Sequence, residues 1–133
     1  GSRLLPQSRV TRSLKREILS RTYGRLLRGV LGLSIHDAQC GFKALSREAA
    51  RQLLPLVVNN HWFFDTELLA QAQWQGFRIR ELPVRWVDDP DSRVKLLPTI
   101  GEDLAGIWRL RQRMRTQTAR RAAPQDAASG NRR

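Results

Sequence analysis

Apolar positions recur at helical spacing through "RSLKREILSRTYGRLLRGVL", residues 12–31. Leu14, Ile18, Tyr23, Leu26, Leu27 and Val30 form a stripe that Leu19 and Leu31 widen, and Arg and Lys fill much of the opposite face. Such a helix lies against a core with a solvated basic face, or in a membrane interface with its arginines on acidic headgroups, and the two are compatible. "SREAARQLLPLV" opens on Ser46 as an N-cap and sets Ala50, Leu53, Leu54 and Val57 on one side, with Pro55 bending or shortening the helix. In "FDTELLAQAQWQGF" Asp65 is placed as an N-cap, Glu67 sits near the positive helix end, and Gly76 stops the helix.

"FRIRELPVRWV", residues 77–87, alternates as a strand does, with an offset near Pro83, and "DDPDSRVK" after it reads as a loop. "LPTIGEDLAGIWRLRQRM" predicts a last helix with Ile100, Leu104, Ile107 and Trp108 on one face. One strand cannot satisfy its own backbone, so a second short strand is expected around "GFKAL", residues 41–45. From about Thr116 apolar periodicity stops. The expected organisation is therefore a folded part over residues 1–115 and a basic, structureless tail over 116–133.

Composition changes this picture in several ways. The chain of 133 residues is one domain's worth, short for an enzyme with two substrates. Its formal charge of +12 favours polyanionic partners, whether nucleic acid, anionic membrane or phosphorylated substrates. That charge is segmented: residues 1–31 hold eight basic side chains against Glu17, residues 108–133 hold eight arginines against Asp126, and the middle is slightly acidic. An acidic middle opposes a phosphate backbone, and no zinc-finger or RNA-recognition pattern is present, so a small nucleic-acid-binding protein is the lesser reading and no nucleic acid is expected. A scaffold remnant with the fold and no activity is a third reading. The single cysteine, Cys40, forms no internal disulfide. The longest apolar runs, such as "LLPLVV", fall far short of the roughly 20 residues that span a bilayer, and no signal-peptide pattern opens the chain.

The candidate chemistry is concentrated in "DAQCGFKAL", residues 37–45. Together with "GSR" at 1–3, "SREAA", "WFFDTELLAQA" at 62–72, "ELPVRW" at 81–86 and "DSRVK" at 91–95, it resembles, over about residues 1–110, the C-terminal half of family-2 glycosyltransferases. More narrowly the words resemble those of the dolichyl-phosphate glucosyltransferase and mannose synthase group, and "QCGFK" favours the glucosyltransferase branch. The resemblance implies an α/β fold, the acceptor-side C-terminal half of a GT-A (Rossmann-like) glycosyltransferase, with the nucleotide-binding half missing. It implies transfer of a hexose, with inversion, from a nucleotide sugar such as UDP-glucose or GDP-mannose to a polyprenyl phosphate, at the cytoplasmic face of an anionic membrane. Mg2+ or Mn2+ is implied too, but its Asp-x-Asp ligands are not expected here, because Asp89 and Asp91 follow the wrong strand. The expectation is a fragment, or else a chain whose donor half another polypeptide supplies, and no catalysis by this chain alone.

Site roles follow from the same resemblance. An ionised acceptor phosphate, with its second pKa near about 6, needs positioning more than a strong base. Asp37 is expected to orient the sugar or acceptor phosphate or act as a weak base, with Gln39 offering an amide beside it. Arg3 and one of Arg12 and Arg16, Arg16 being preferred, form the basic cluster for the lipid phosphate. Lys43, Ser92 and Arg93 are further phosphate contacts, with Lys95 a weaker one, and Asp65 and Glu67 serve either the site or helix capping. Gly41 is expected at a close turn, Cys40 and Phe42 in the core, and His36 and His61 in structural places.

Overall fold

In a computed structural model of the chain, residues 1–88 and 96–122 are described, with side chains for 1–88 and 100–116. Strand β1 spans Arg9–Thr11, helix α1 Leu14–Leu31, α2 Arg47–Leu53, α3 Phe64–Trp74, strand β2 Arg85–Val87 and helix α4 Leu96–Ala122. The result is an α/β arrangement with a two-stranded parallel sheet, Arg9 opposite Arg85 and Thr11 opposite Val87.

The partner of the C-terminal strand is thus Arg9–Thr11 and not residues 41–45, which form neither strand nor helix. Ahead of β1, Ser2 bridges Pro83 in parallel, its N–H donating to the Leu82 carbonyl at 2.8 Å. Ser8 closes the intervening bulge: its hydroxyl donates to the Ser2 carbonyl at 2.6 Å and accepts from the Val84 N–H at 3.2 Å. Regular pairing in "FRIRELPVRWV" is confined to Arg85–Val87, yet side-chain burial alternates from Phe77 to Val87 and slips at Leu82 and Pro83, the expected offset.

Helix α1 begins at Ser13, whose hydroxyl accepts the Arg16 N–H, and ends at Gly32 in the left-handed region (φ 64°). Gln73 of α3 ties that end down: it accepts from the Ser34 N–H at 2.8 Å and donates to the Gly32 carbonyl at 2.8 Å. Ser46 caps α2 as expected, and Pro55 turns its end into a 3-10 turn over Leu54–Leu56.

Helix α3 departs from expectation at its start. The N-cap is Phe63, without a side-chain cap bond, and Asp65 lies inside the first turn, where its charge suits the helix dipole but caps nothing. Its far end stops at Gly76 (φ 80°), with the Phe77 N–H reaching back to the Ala72 carbonyl. α3 is buried on two sides. Ala70 joins Leu27, Leu31, Ile35, Phe63, Ile107 and Leu110 in the main core, while Leu68 and Ala72 join Leu53 in a smaller one.

Helix α4 packs on α1 and buries Asp103, Gly106, Ile107 and Leu110, while Leu104 and Trp108 are 50% and 64% exposed. The single apolar face expected for this helix is therefore split. Gly106 fixes the split, because a Cβ there would lie 2.6 Å from the Phe63 ring. The helix also continues to Ala122, so the expected structureless tail does not begin at Thr116; residues 123–133 lie outside those described. Cys40 is fully buried as expected, but Phe42 is exposed.

Candidate acceptor-phosphate cleft

The N-terminal segment, α1, the loop after α1, the start of α3, the end of β2 and α4 enclose a cleft of about 590 Å³. Arg3, Arg12 and Arg16 line it together with the apolar side chains of Leu19, Leu26, Ile100 and Leu104 and the rings of Trp62 and Trp86. A cluster of guanidinium groups beside an apolar channel is chemically suited to an anionic head on a hydrocarbon chain.

Each arginine is held by a carboxylate. Arg3 and Asp37 form a two-point pair, Nε to Oδ2 at 2.7 Å and Nη2 to Oδ1 at 2.9 Å, and the Arg3 N–H adds a third bond to Oδ2 at 2.9 Å. Arg3 also stacks over the Trp86 ring, 5.4 Å from its centre. Arg12 pairs with Glu17 and donates to the Ser20 hydroxyl at 3.1 Å. Arg16 reaches Asp88 at 3.1 Å, and Asp88 Oδ1 accepts from the Trp86 indole at 2.7 Å. Both Arg12 and Arg16 thus stand in the cleft beside Arg3.

Asp37 is buried and does not line the cleft; it stands behind Arg3. Burial alone pushes its carboxyl up, but the hydrogen bonds and charge of Arg3 outweigh that and hold it below the ordinary carboxylate range. Such a group positions Arg3 better than it accepts a proton. Glu81 braces the same loop, accepting from the His36 and Asp37 N–H groups at 3.0 and 3.2 Å and from the His36 ring at 2.7 Å.

The remaining sequence candidates divide. Gln39 and Asp65 line the cleft. Lys43 does not: it donates to the Cys40 carbonyl and pairs with Asp65 at 3.3 Å, lining a separate cavity of about 300 Å³ with Asp37. Glu67 also faces away, accepting from the Val58 and Asn59 N–H groups at 3.2 and 2.9 Å and from Arg113 at 2.9 Å. Gly41 lines the cleft without a positive φ, so its turn does not require glycine. Ser92, Arg93 and Lys95 lie outside the described residues.

The sequence reading missed two cleft carboxyls, Asp88 and, on α4, Asp103, which is 5% exposed. The Asp103 Oδ2 accepts from Gln39 Nε2 at 2.8 Å, and its Oδ1 has no hydrogen-bond partner among the described residues. The available signal was an acid one residue ahead of Leu104 and four ahead of Ile107, inside an apolar helical stripe. Among the described residues no three His, Cys, Asp or Glu side chains converge to hold a metal ion.

Similarity to known proteins fits this geometry. The chain is 44% identical over 111 residues to glycosyltransferase AglD of Haloferax volcanii, covering 81% of this chain and 18% of the relative. It is 37% identical over 112 residues to the dolichyl-phosphate beta-glucosyltransferase ALG5C of Trichomonas vaginalis, covering 68% and 33%. The dolichyl-phosphate beta-glucosyltransferase of Homo sapiens is 35% identical over 127 residues, covering 84% and 39%. The chain thus spans less than half the length of these curated relatives. No family model and no solved structure matches it. The chain is similar, over a part of their length, to glycosyltransferase AglD and to dolichyl-phosphate beta-glucosyltransferases.

Proposed function

We propose that the chain is the acceptor-side, C-terminal half of a GT-A glycosyltransferase and that its cleft receives the phosphate end of a polyprenyl phosphate. The observation that carries this reading is that Arg3, Arg12 and Arg16 line one cleft with Leu19, Leu26, Ile100, Leu104 and two tryptophan rings. The arginines neutralise and orient the phosphate, the apolar side chains take the first isoprenes, and a phosphate oxygen displaces the nucleoside diphosphate from the anomeric carbon with inversion. Asp37 acts through Arg3, fixing its guanidinium plane. The nucleotide-sugar donor, UDP-glucose or GDP-mannose, belongs to the half that this chain does not span. We assign the divalent cation to that half as well and derive no step through it.

The exposed faces of α1 and α4 support a membrane position, and we take the face to be the cytoplasmic one. On α1 the exposed face runs Leu14, Ile18, Arg21, Arg25, and on α4 it runs Leu104, Trp108, Arg111, Arg115, each an apolar pair followed by a basic pair. Trp62, also exposed, and Leu104 belong to both the cleft and this surface. No helix among the described residues is long and apolar enough to cross a membrane.

The test is transfer by a chimera of this chain with the donor half of a close relative. Arg16→Ala is expected to raise the apparent acceptor constant about tenfold or more, the scale for losing a charge-assisted contact, and to leave the donor constant nearly unchanged. The chain alone is expected to transfer nothing. Unaltered acceptor kinetics in both Arg12→Ala and Arg16→Ala would remove the cleft from the acceptor path.

A further inference from the structure

Arg3 and Arg16 come from separate segments, the N-terminal stretch and the first turn of α1, yet both rest on the end of β2. The Arg3 guanidinium lies over the Trp86 ring, 5.4 Å from its centre. The indole N–H of the same residue donates to Asp88 Oδ1 at 2.7 Å, and Asp88 Oδ2 accepts from Arg16 Nη1 at 3.1 Å. The sheet fixes this end of the strand: Trp86 is in register with Val10, and the Asp88 N–H donates to the Thr11 carbonyl at 2.9 Å.

The two arginines differ in their other supports. Arg3 is also held by Asp37, whereas Asp88 is the one carboxylate on Arg16 among the described residues. The Arg16 side chain is 29% exposed, and of its guanidinium nitrogens Nη1 alone donates within the described residues, so N–H groups remain for a ligand.

We propose that Trp86 is the positioning residue for the acceptor phosphate: its ring face sets the Arg3 guanidinium, and its indole N–H, acting through Asp88, sets that of Arg16. This rests on the acceptor-site reading above. Trp86 acts through the two cations and no covalent bond changes.

The chemistry suits tryptophan. Among aromatic side chains indole has the face that draws a cation best, and it carries an N–H at the ring edge, so one rigid group serves both arginines. Holding a long side chain in its bound geometry beforehand removes an ordering cost from binding. The relay also stays charged. Burial pushes the Asp88 carboxyl up, but the indole hydrogen bond and then the Arg16 and Arg12 charges outweigh that and hold it below the ordinary carboxylate range.

The experiment is calorimetric titration of geranyl phosphate into the full chain at pH 7.5. Trp86→Phe keeps a ring under Arg3 and removes the N–H, and is expected to raise Kd about three- to tenfold, the scale for disordering one long side chain. In an Arg16→Ala chain the same substitution is expected to change Kd less than about twofold, because the relay then ends on a missing group. Trp86→Leu removes the ring face as well and is expected to raise Kd beyond Trp86→Phe in both chains, through Arg3. Nitrogen-proton spectra of the ligand-free chain give a second readout. Of the indole signals of the four tryptophans, the one absent from Trp86→Phe is expected to shift in Arg16→Ala, to which it is joined through Asp88. Equal losses from Trp86→Phe with and without Arg16, or an unmoved Trp86 indole signal in Arg16→Ala, overturn the proposal and leave the acceptor-site reading standing. Absence of any geranyl phosphate binding to the wild-type chain overturns both.

Discussion

At the residue scale, the pair Arg3 and Asp37 bears on both fold and site. The Asp37 side chain is 3% exposed and that of Arg3 14%, so removing one charge strands the other. Asp37→Asn is expected to cost about 2–4 kcal/mol in chemical denaturation, near the usual cost of breaking a buried ion pair. Because the folded carboxyl titrates below its unfolded value, the stability it contributes is complete above the ordinary carboxylate range and is lost as pH falls below about 4. Asp103 has the opposite sign. Its folded pKa is raised to about 6, so the fold holds that proton more tightly than the unfolded chain and loses stability as pH rises toward neutrality. Between pH 5 and 7 the loss assignable to Asp103 is about 1 kcal/mol, and Asp103→Asn is expected to flatten that slope in denaturant melts. Sequence words brought out Asp37 and Arg3 separately. Their pairing was not legible, because 34 residues separate them and the two segments are brought together by the bridge between Ser2 and Pro83, the Gly1 amino group on the Phe42 carbonyl and the Glu81 brace.

At the scale of elements, the helices were the legible part, since their stripes and end residues are local. Ser46 and Gly76 act as their positions indicate. Asp65 misled because an acid in the first turn suits a helix dipole as well as an acid at the cap, and only backbone geometry tells them apart. β1 was illegible: "RVT" is three residues with no alternation long enough to read, and its partner lies more than 70 residues on. The split face of α4 could not be seen either, since it depends on the Phe63 ring lying flat against Gly106. Gly106→Ala is expected to destabilise by about 1–3 kcal/mol despite the better helix propensity of alanine, because the ring sits in the packed core and must move. Gly24→Ala, whose Cβ would lie 2.7 Å from the His36 carbonyl oxygen, is expected to act in the same direction. Thermal melts of both variants check this, and an unchanged Tm for Gly106→Ala would mean that α4 and α3 lie further apart than described.

At the scale of the whole molecule, the basic charge of α1 and α4 and their exposed apolar residues form the surface on which a membrane position depends. Sedimentation with vesicles is expected to rise with anionic lipid and fall with salt. Replacing Arg21, Arg25 and Arg28 with Gln is expected to weaken it, at about 1 kcal/mol for each basic residue near the surface. The resemblance to dolichyl-phosphate glucosyltransferases was legible in ordered words spread over the chain. The cleft was not, since its walls come from six separate segments and two of its carboxyls, Asp88 and Asp103, belong to none of those words. The most direct measurement of the central claim is photocrosslinking with a diazirine-bearing prenyl phosphate, read out by peptide mass spectrometry. Labels are expected on the peptides that carry Leu19 to Leu26, Trp62 and Ile100 to Leu104, suppressed by geranyl phosphate and not by geraniol. Labels on the smaller cavity beside Leu53, Leu68 and Phe77, or labelling that geraniol suppresses equally, would contradict it.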